Sequence, residues 1–260
     1  MSSRKLLIKL GGTLLDAPES RRQLAREIAA AAAQPDNQIV VVHGGGKQLT
    51  RFLAERGVES RFVNGLRVTT PEVIDAVLKV FAGSVNAELV AAFRAAGAHA
   101  VGLSGLDAGL VDAELLNPDL GQVGKPVRSD ARLLDLLAGE SYLPVVACVA
   151  GDALGNVYNV NADQMAVACA VSFKAESILF LTDVDGVRNK EASICPTLTC
   201  NQAGMLIREG VATGGMQAKL EAAMEALSKG IRQVFVAPGA LAGVVGRLLA
   251  GEAVGTRLVP

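Results

Sequence analysis

The sequence predicts an α/β fold, a three-layer αβα sandwich built on a mostly parallel central sheet. Two observations carry the prediction. Apolar runs of four to six residues alternate along the chain with longer stretches of helical period, the pattern of strands joined by crossover helices. Glycine also stands twice directly after such a run, in KLGGT (9–13) and in VVHGGGK (41–47), where a strand must turn tightly into a helix.

KLLIKL (5–10) is strand-like and leads through Gly11 and Gly12 toward the helical SRRQLAREIAAAAA (20–33). QIVVV (38–42) is the next strand, and after HGGG the helical KQLTRFLAER (47–56) is ended by Gly57. PEVIDAVLKVFAGSVNAELVAAFRAAG (71–97) opens with proline, favoured in a first helical turn, and two helices are expected to meet at Gly83. AVGLSG (100–105) is a strand. From 105 to 128 glycine, aspartate and proline interrupt short apolar alternations, so hairpins and loops are expected there. YLPVVACVA (142–150) resumes the sheet, and NADQMAVACAVSF (161–173) is a helix capped by Asn161. SILFLTDVDGV (177–187) is a strand ending in an acidic turn. GGMQAKLEAAMEALSKG (214–230) is an amphipathic helix with Leu220, Met224 and Leu227 on one face. QVFVA (233–237) is a further strand and TRLV (256–259) closes the sheet. No repeat or low-complexity linker divides the chain. The expectation is a single domain, 1–260, whose character changes near Gly151, so that lobes 1–150 and 151–260 share one sheet with a cleft between them.

Half of the 260 residues are hydrophobic by type and the formal net charge is -1. Such a chain buries a sizeable core and lacks the strongly basic face that nucleic acid demands. Trp is absent and Tyr numbers two, so platforms for stacking bases are poorly supplied. Lys9 cuts the first apolar stretch too short for an export signal. No apolar run is expected to reach the length of about 20 that spans a bilayer, and the expected location is cytoplasmic, with no membrane partner. Cys148 and Cys169 sit among alanine and valine and read as small buried thiols. Cys195 and Cys200 flank a Pro-Thr turn, where a reducing compartment disfavours a disulfide. With only His43 and His99 available, no structural zinc site is expected.

In parallel α/β sheets ligands bind beyond the carboxyl ends of strands. Glycine there lets backbone N–H groups approach an anion, and the following helix adds the positive end of its dipole. Lys9 supplies a full charge beside Gly11 and Gly12, and Gly44, Gly45 and Gly46 supply a second run of amides. Two such cradles suit a reaction that brings two anions together; tight turns alone are the competing explanation. His43 reads either as a substrate contact or as a turn residue. The chain has no GxxxxGK[ST] loop, no GxGxxG, and neither HRD nor DFG, so any phosphoryl transfer uses another solution.

KLGGT, HGGGKQL, NGLRVT (64–69), NVNADQ (159–164), TDVDGV (182–187) and GGMQAKL (214–220) follow one another in this order. Together they resemble the amino-acid kinase family and, within it, the branch that phosphorylates the side-chain carboxylate of N-acetyl-L-glutamate with MgATP. The resemblance runs from Lys5 to the terminal GTRLV. It implies that Lys9 and Lys219 reach the transferring phosphoryl group from opposite lobes, that Gly12 and Gly45 offer it amides, and that Asp163 holds both lysines. It implies Arg67 as the clamp for the substrate's α-carboxylate, with Gly45, Gly46 and Asn159 on the substrate side. Gly11, Thr182, Asp183 and Gly186, with Lys9 and Lys219, fall on the nucleotide side, though a turn that merely ends a strand accounts for the 182–186 stretch as well. No metal ligand is assigned, since Mg²⁺ can be held by phosphates and water. The first lobe would bind the acyl amino acid and pair as a homodimer, the second would bind ATP, and the pathway implied is arginine biosynthesis.

At GLSGLDAG (102–109), Leu106 and Ala108 depart from the Lys-Asp-Gly that many members of that branch carry after Ser-Gly, which bears on acyl preference. A kinase for carrier-bound aminoadipate is the nearest enzymatic alternative, and a non-catalytic sensor of the same fold the nearest alternative of another class. Arginine-inhibited members add an amino-terminal helix that links dimers into hexamers. The first strand here starts about five residues from Met1, so a dimer insensitive to arginine is expected.

Overall fold

The structure, a computed structural model, describes residues 3–260. β1 (Arg4–Leu10) passes through a single 3-10 turn into α1 (Pro18–Ala32), and β2 (Asn37–His43) turns at Gly44 and Gly45 into α2 (Gly46–Ala54). A hairpin of β3 (Phe62–Val63) and β4 (Leu66–Arg67) precedes α3 (Pro71–Val77), a π-helical stretch (Leu78–Val85) and α4 (Asn86–Ala95). There follow β5 (Ala100–Ser104), β6 (Val111–Leu115), β7 (Val123–Ser129), α5 (Arg132–Gly139), β8 (Leu143–Ala147), β9 (Val149–Gly151) and β10 (Val157–Val160). The chain continues through α6 (Ala162–Phe173), β11 (Ser177–Thr182), β12 (Thr197–Thr199), α7 (Cys200–Arg208), α8 (Gly214–Ser228), β13 (Gln233–Pro238), α9 (Val244–Leu249) and β14 (Thr256–Val259).

β1, β2, β8 and β11 bury successive residues on both faces, as strands do when helices cover a parallel sheet on either side. The main sheet has the order β12-β14-β13-β11-β1-β2-β8-β5. From β13 to β5 every pairing is parallel, while β14 runs antiparallel to β13 and carries β12 alongside. α1 packs with α4 and α9, and α6 with α5 and α8, which completes the three layers. β1 pairs with β2 on one side and with β11 on the other. At such a point neighbouring strands diverge in topology and open a crevice at their carboxyl ends.

Three expectations change. The 71–97 segment does not break at Gly83: it is one helix, Pro71–Ala95, of 25 residues, and Gly83 lies inside its π-helical stretch. Val73 and Val77 before the stretch and Leu89 and Phe93 after it are all buried. By length and composition this helix is also apolar enough to cross a membrane, contrary to the reading that no segment reaches that length. In the fold it packs its apolar face on the sheet. Of the hairpins expected within 105–128 one forms, β6 with β7, and these strands join β9 and β10 in a small closed barrel, order β10-β7-β6-β9. β9 therefore leaves the sheet that YLPVVACVA was expected to continue.

Asn161 caps α6 as expected, its side chain accepting from the backbone N–H groups of Asp163 and Gln164. Leu220 and Leu227 bury one face of α8. Cys148 and Cys169 are buried, and all four cysteines are free thiols.

Candidate active site

The crevice beyond β1 and β11 is a cleft of about 700 Å³, lined by residues that include Lys9, Gly11, Gly12, Gly46, Arg67, Thr182, Asp183 and Lys219. Its walls carry five basic side chains (Lys9, Lys47, Arg51, Arg67, Lys219) against two acidic ones (Asp16, Asp183). A cleft so biased attracts anions.

The two glycine turns, far apart in sequence, meet in space. A Cβ on Gly12 would stand 3.3 Å from Gly46 N and 3.7 Å from Gly45 N, so their amides share one corner. Gly45 is required by crowding: a Cβ there would stand 2.8 Å from Phe81 Cδ1. No side chain caps α2, which leaves its first N–H groups available to an anion.

Lys9 Nζ lies 2.7 Å from Asp163 Oδ1, and Lys219 Nζ lies 3.4 Å from Asp163 Oδ2. One carboxylate thus fixes a lysine from the end of β1 and another from α8. Burial by itself pushes the Asp163 carboxyl up; Lys9 and then Lys219 outweigh it, and the group stays below the ordinary carboxylate range. Burial lowers the Lys219 ammonium, with Asp163 opposing that shift and Lys9 adding to it. Across the strand ends Thr182 Oγ1 donates to Asp183 Oδ1 at 3.2 Å. Burial raises the Asp183 carboxyl, but backbone and hydroxyl donors, Thr13 among them, bring it below its ordinary value.

Arg67 is 8% exposed. It donates to Ser60 Oγ, to Thr50 Oγ1 at 2.8 Å and to Gly46 O at 3.1 Å, and its guanidinium carbon sits 4.6 Å from the centre of the Phe62 ring. All of these partners are neutral. Burial lowers its pKa, yet a guanidinium holds its proton through any ordinary pH, so the site presents a desolvated cation ready for an anion.

Of the residues singled out in the sequence, Asp163, Gly44 and Gly45 stand behind the lysines and the glycine corner rather than in the lining, and Asn159, Gly186 and His43 do not line the cleft either. Asn159 Nδ2 donates to Thr69 Oγ1 at 3.0 Å, and Thr69 Oγ1 donates to Arg67 O at 2.9 Å; Asn159 is thereby joined to the backbone of Arg67. Gly186 lies against β14, where a Cβ would stand 2.8 Å from Thr256 Oγ1. His43 is fully buried, which excludes the reading of it as a substrate contact; burial pushes its imidazole down to about 4. Conversely Thr13, Asp16, Lys47, Thr50, Arg51 and Phe62 line the cleft without having been singled out. Lys47, Thr50 and Arg51 share a helix face directly after the glycines, and that spacing was the available signal.

The 102–109 turn is held by Asp107, whose Oδ2 accepts from Ser104 N at 2.6 Å and from Ser104 Oγ at 2.8 Å. Leu106 is exposed. Ala108 has φ 55, a left-handed conformation that costs an L residue about 1–2 kcal/mol, partly offset by the entropy a glycine loses on folding. Ala108→Gly is therefore expected to raise stability by roughly 0.5–1 kcal/mol, read as a higher urea midpoint with unchanged slope.

The sequence model of the amino acid kinase family matches residues 4–238. An acetylglutamate kinase from Solibacter usitatus is 61% identical over 255 residues, covering 98% of this chain and 99% of its own. One from Acidobacterium capsulatum is 43% identical over 243 residues, covering 93% of each chain. Among solved structures, N-acetylglutamate synthase from Neisseria gonorrhoeae in complex with coenzyme A and N-acetyl-glutamate superposes with a TM-score of 0.88 at 24% identity, over all of this chain and 60% of that one. At that identity the likeness is one of fold.

Proposed function

The chain belongs to the amino acid kinase family, and we infer that its cleft joins ATP to N-acetyl-L-glutamate through the residues that line it. The activity is ATP-dependent phosphorylation of N-acetyl-L-glutamate, a step of arginine biosynthesis, in keeping with the acetylglutamate kinases it matches along nearly its whole length. One observation carries the assignment of roles: the same cleft offers two separate cationic sites, the lysine pair on Asp163 and the buried Arg67.

The substrate's side-chain carboxylate is already ionised at neutral pH, so the reaction needs no general base. A carboxylate oxygen forms a bond to the γ-phosphorus as the bond from that phosphorus to the bridging oxygen of ADP breaks; the products are an acyl phosphate and ADP. The obstacle is repulsion between anions, and positioning with charge neutralisation overcomes it. Lys9 and Lys219 neutralise the phosphoryl group, and the N–H groups of Gly12, Gly45 and Gly46 hold its oxygens. Arg67 grips the α-carboxylate. Asn159, outside the lining, serves the substrate side through Thr69, which ties it to the backbone of Arg67. Gly11, Thr182 and Asp183 border the nucleotide, with Gly186 shaping the turn behind them. Mg²⁺ would arrive on the nucleotide, held by phosphates and water, and would supply further charge neutralisation there. In this reading 1–150 is the substrate and dimerisation lobe, 151–260 is the nucleotide lobe, and the protein works as a cytoplasmic homodimer.

The test is turnover of ATP with a panel of acylated acidic amino acids, trapping the acyl phosphate with hydroxylamine. N-acetyl-L-glutamate is expected to be the best acceptor, and preference for an aminoadipate conjugate would replace this substrate assignment. Arg67→Lys keeps the charge but loses the planar fork. It is expected to lower kcat/KM for N-acetylglutamate by roughly ten- to a hundredfold, about 1.5–3 kcal/mol, with ATP binding measured alone hardly altered. Weakened ATP with unchanged use of the acid would reverse the two ends of the cleft.

A further inference from the structure

A buried polar pair lies behind the glycine corner. His43, the last residue of β2, is fully buried, and Asn86, the first of α4, is 6% exposed. The Asn86 side-chain nitrogen stands 2.9 Å from Val145 O and 3.4 Å from Leu103 O. Carbonyls only accept, so this end of the amide is the NH₂, and it also donates to His43 Nε2, 2.9 Å away. An accepting Nε2 leaves the proton of a neutral ring on Nδ1, which donates to Gly44 O at 2.8 Å. The donors therefore run one way, from helix to strand end to glycine turn. Gly102 makes room for the amide, since a Cβ there would stand 2.1 Å from Asn86 Oδ1.

A trans peptide is planar, so its C=O and N–H point to opposite sides. Holding Gly44 O against the imidazole turns the Gly45 N–H away from it. Gly45 N is also the atom that would lie 3.7 Å from a Cβ on Gly12. The helix that carries Asn86 walls the same turn with Phe81 and Val85, both from its π-helical stretch, a kind of insertion that collects at functional sites.

We propose that His43 is a positioning residue: backed by Asn86, its Nδ1–H holds the Gly44–Gly45 peptide so that the Gly45 N–H faces the phosphoryl group in transfer. This deepens the reading of the cleft as a phosphoryl-transfer site and rests on it.

Asparagine places a side-chain N–H near the position of Nδ1, and glutamine its amide oxygen near that of Nε2, where it accepts from Asn86. His43→Asn thus keeps a donor for Gly44 O, whereas His43→Gln keeps only the link to Asn86. Glutamine is closer to histidine in bulk, so a packing role favours it. Assayed below both melting transitions, His43→Asn is expected to retain at least about a third of kcat, and His43→Gln to lose roughly tenfold or more, with KM for both substrates within about threefold. A Gln variant as active as the Asn variant, or losses confined to KM, overturns the proposal. Should His43→Gln not fold, a folded His43→Asn with kcat down more than about tenfold overturns it as well. A readout free of turnover is the Gly45 N–H resonance titrated with inorganic phosphate. It is expected to shift in the wild type and His43→Asn but not in His43→Gln, and equal shifts in all three defeat the positioning role. A wild type that shows this pattern yet forms no acyl phosphate defeats the substrate reading alone.

Discussion

Asp163→Ala is expected to lower kcat more than about a hundredfold and to destabilise the fold by about 3–5 kcal/mol. Two mechanisms act together. Asp163 is the one carboxylate ion-paired to both Lys9 and Lys219, and the side chains of Lys9 and Asp163 are only 7% and 6% exposed. Removing it leaves a desolvated ammonium with no counter-charge and a second ammonium beside it, which is costlier than the loss of any exposed ion pair. In a domain of this size the melting temperature should fall by roughly 10 °C. Activity falls further than stability explains, because the two lysines no longer converge on one point. The comparison is Asp163→Asn, which keeps the shape and some hydrogen bonding. Thermal melts and hydroxylamine trapping on both variants decide it; an Ala variant melting within about 2 °C of the wild type would show that the lysines find other partners.

Lys219→Met separates chemistry from stability. Methionine fills the volume of the lysine stem without its charge, and Asp163 still has Lys9 at 2.7 Å, so no buried charge is orphaned. The fold should survive with a small change in melting temperature. What is lost is one preorganised cation at the transferring group, worth about 2.7–4 kcal/mol of transition-state stabilisation, or a hundred- to a thousandfold in kcat. KM for ATP should rise by much less, since Lys9 and the glycine amides still meet the phosphates. Near-normal kcat at saturating substrates would remove Lys219 from the catalytic set.

What the chain determined locally was legible in its residues. Apolar runs such as KLLIKL and QIVVV are buried on both faces and could only be covered strands. Asn161 before ADQM announced a helix start, and its side chain caps that helix. The acidic end of SILFLTD falls at the carboxyl end of a strand, as its composition suggested. Periodicity and capping are properties of neighbouring residues, so sequence reports them directly.

Partnership between distant segments was not legible in that way. Nothing local to KLGGT says that Ser177–Thr182 will lie beside it, yet that pairing puts Thr182 and Asp183 on the rim of the cleft with Lys9. The barrel of β6, β7, β9 and β10, the π-helical stretch that carries one helix past Gly83, and the inward turn of His43 were likewise settled by packing. Each depends on which surfaces meet once the sheet has formed, and one strand's apolar pattern is compatible with many neighbours. The longer apolar strands, several helix starts and the residue types the chemistry needs were set by neighbouring residues, while short elements such as Arg132–Gly139 and Cys200–Arg208 were not read from them. The tertiary structure decided which of them converge, because burial rewards any apolar partner, while shape and hydrogen bonding admit only one arrangement of them all.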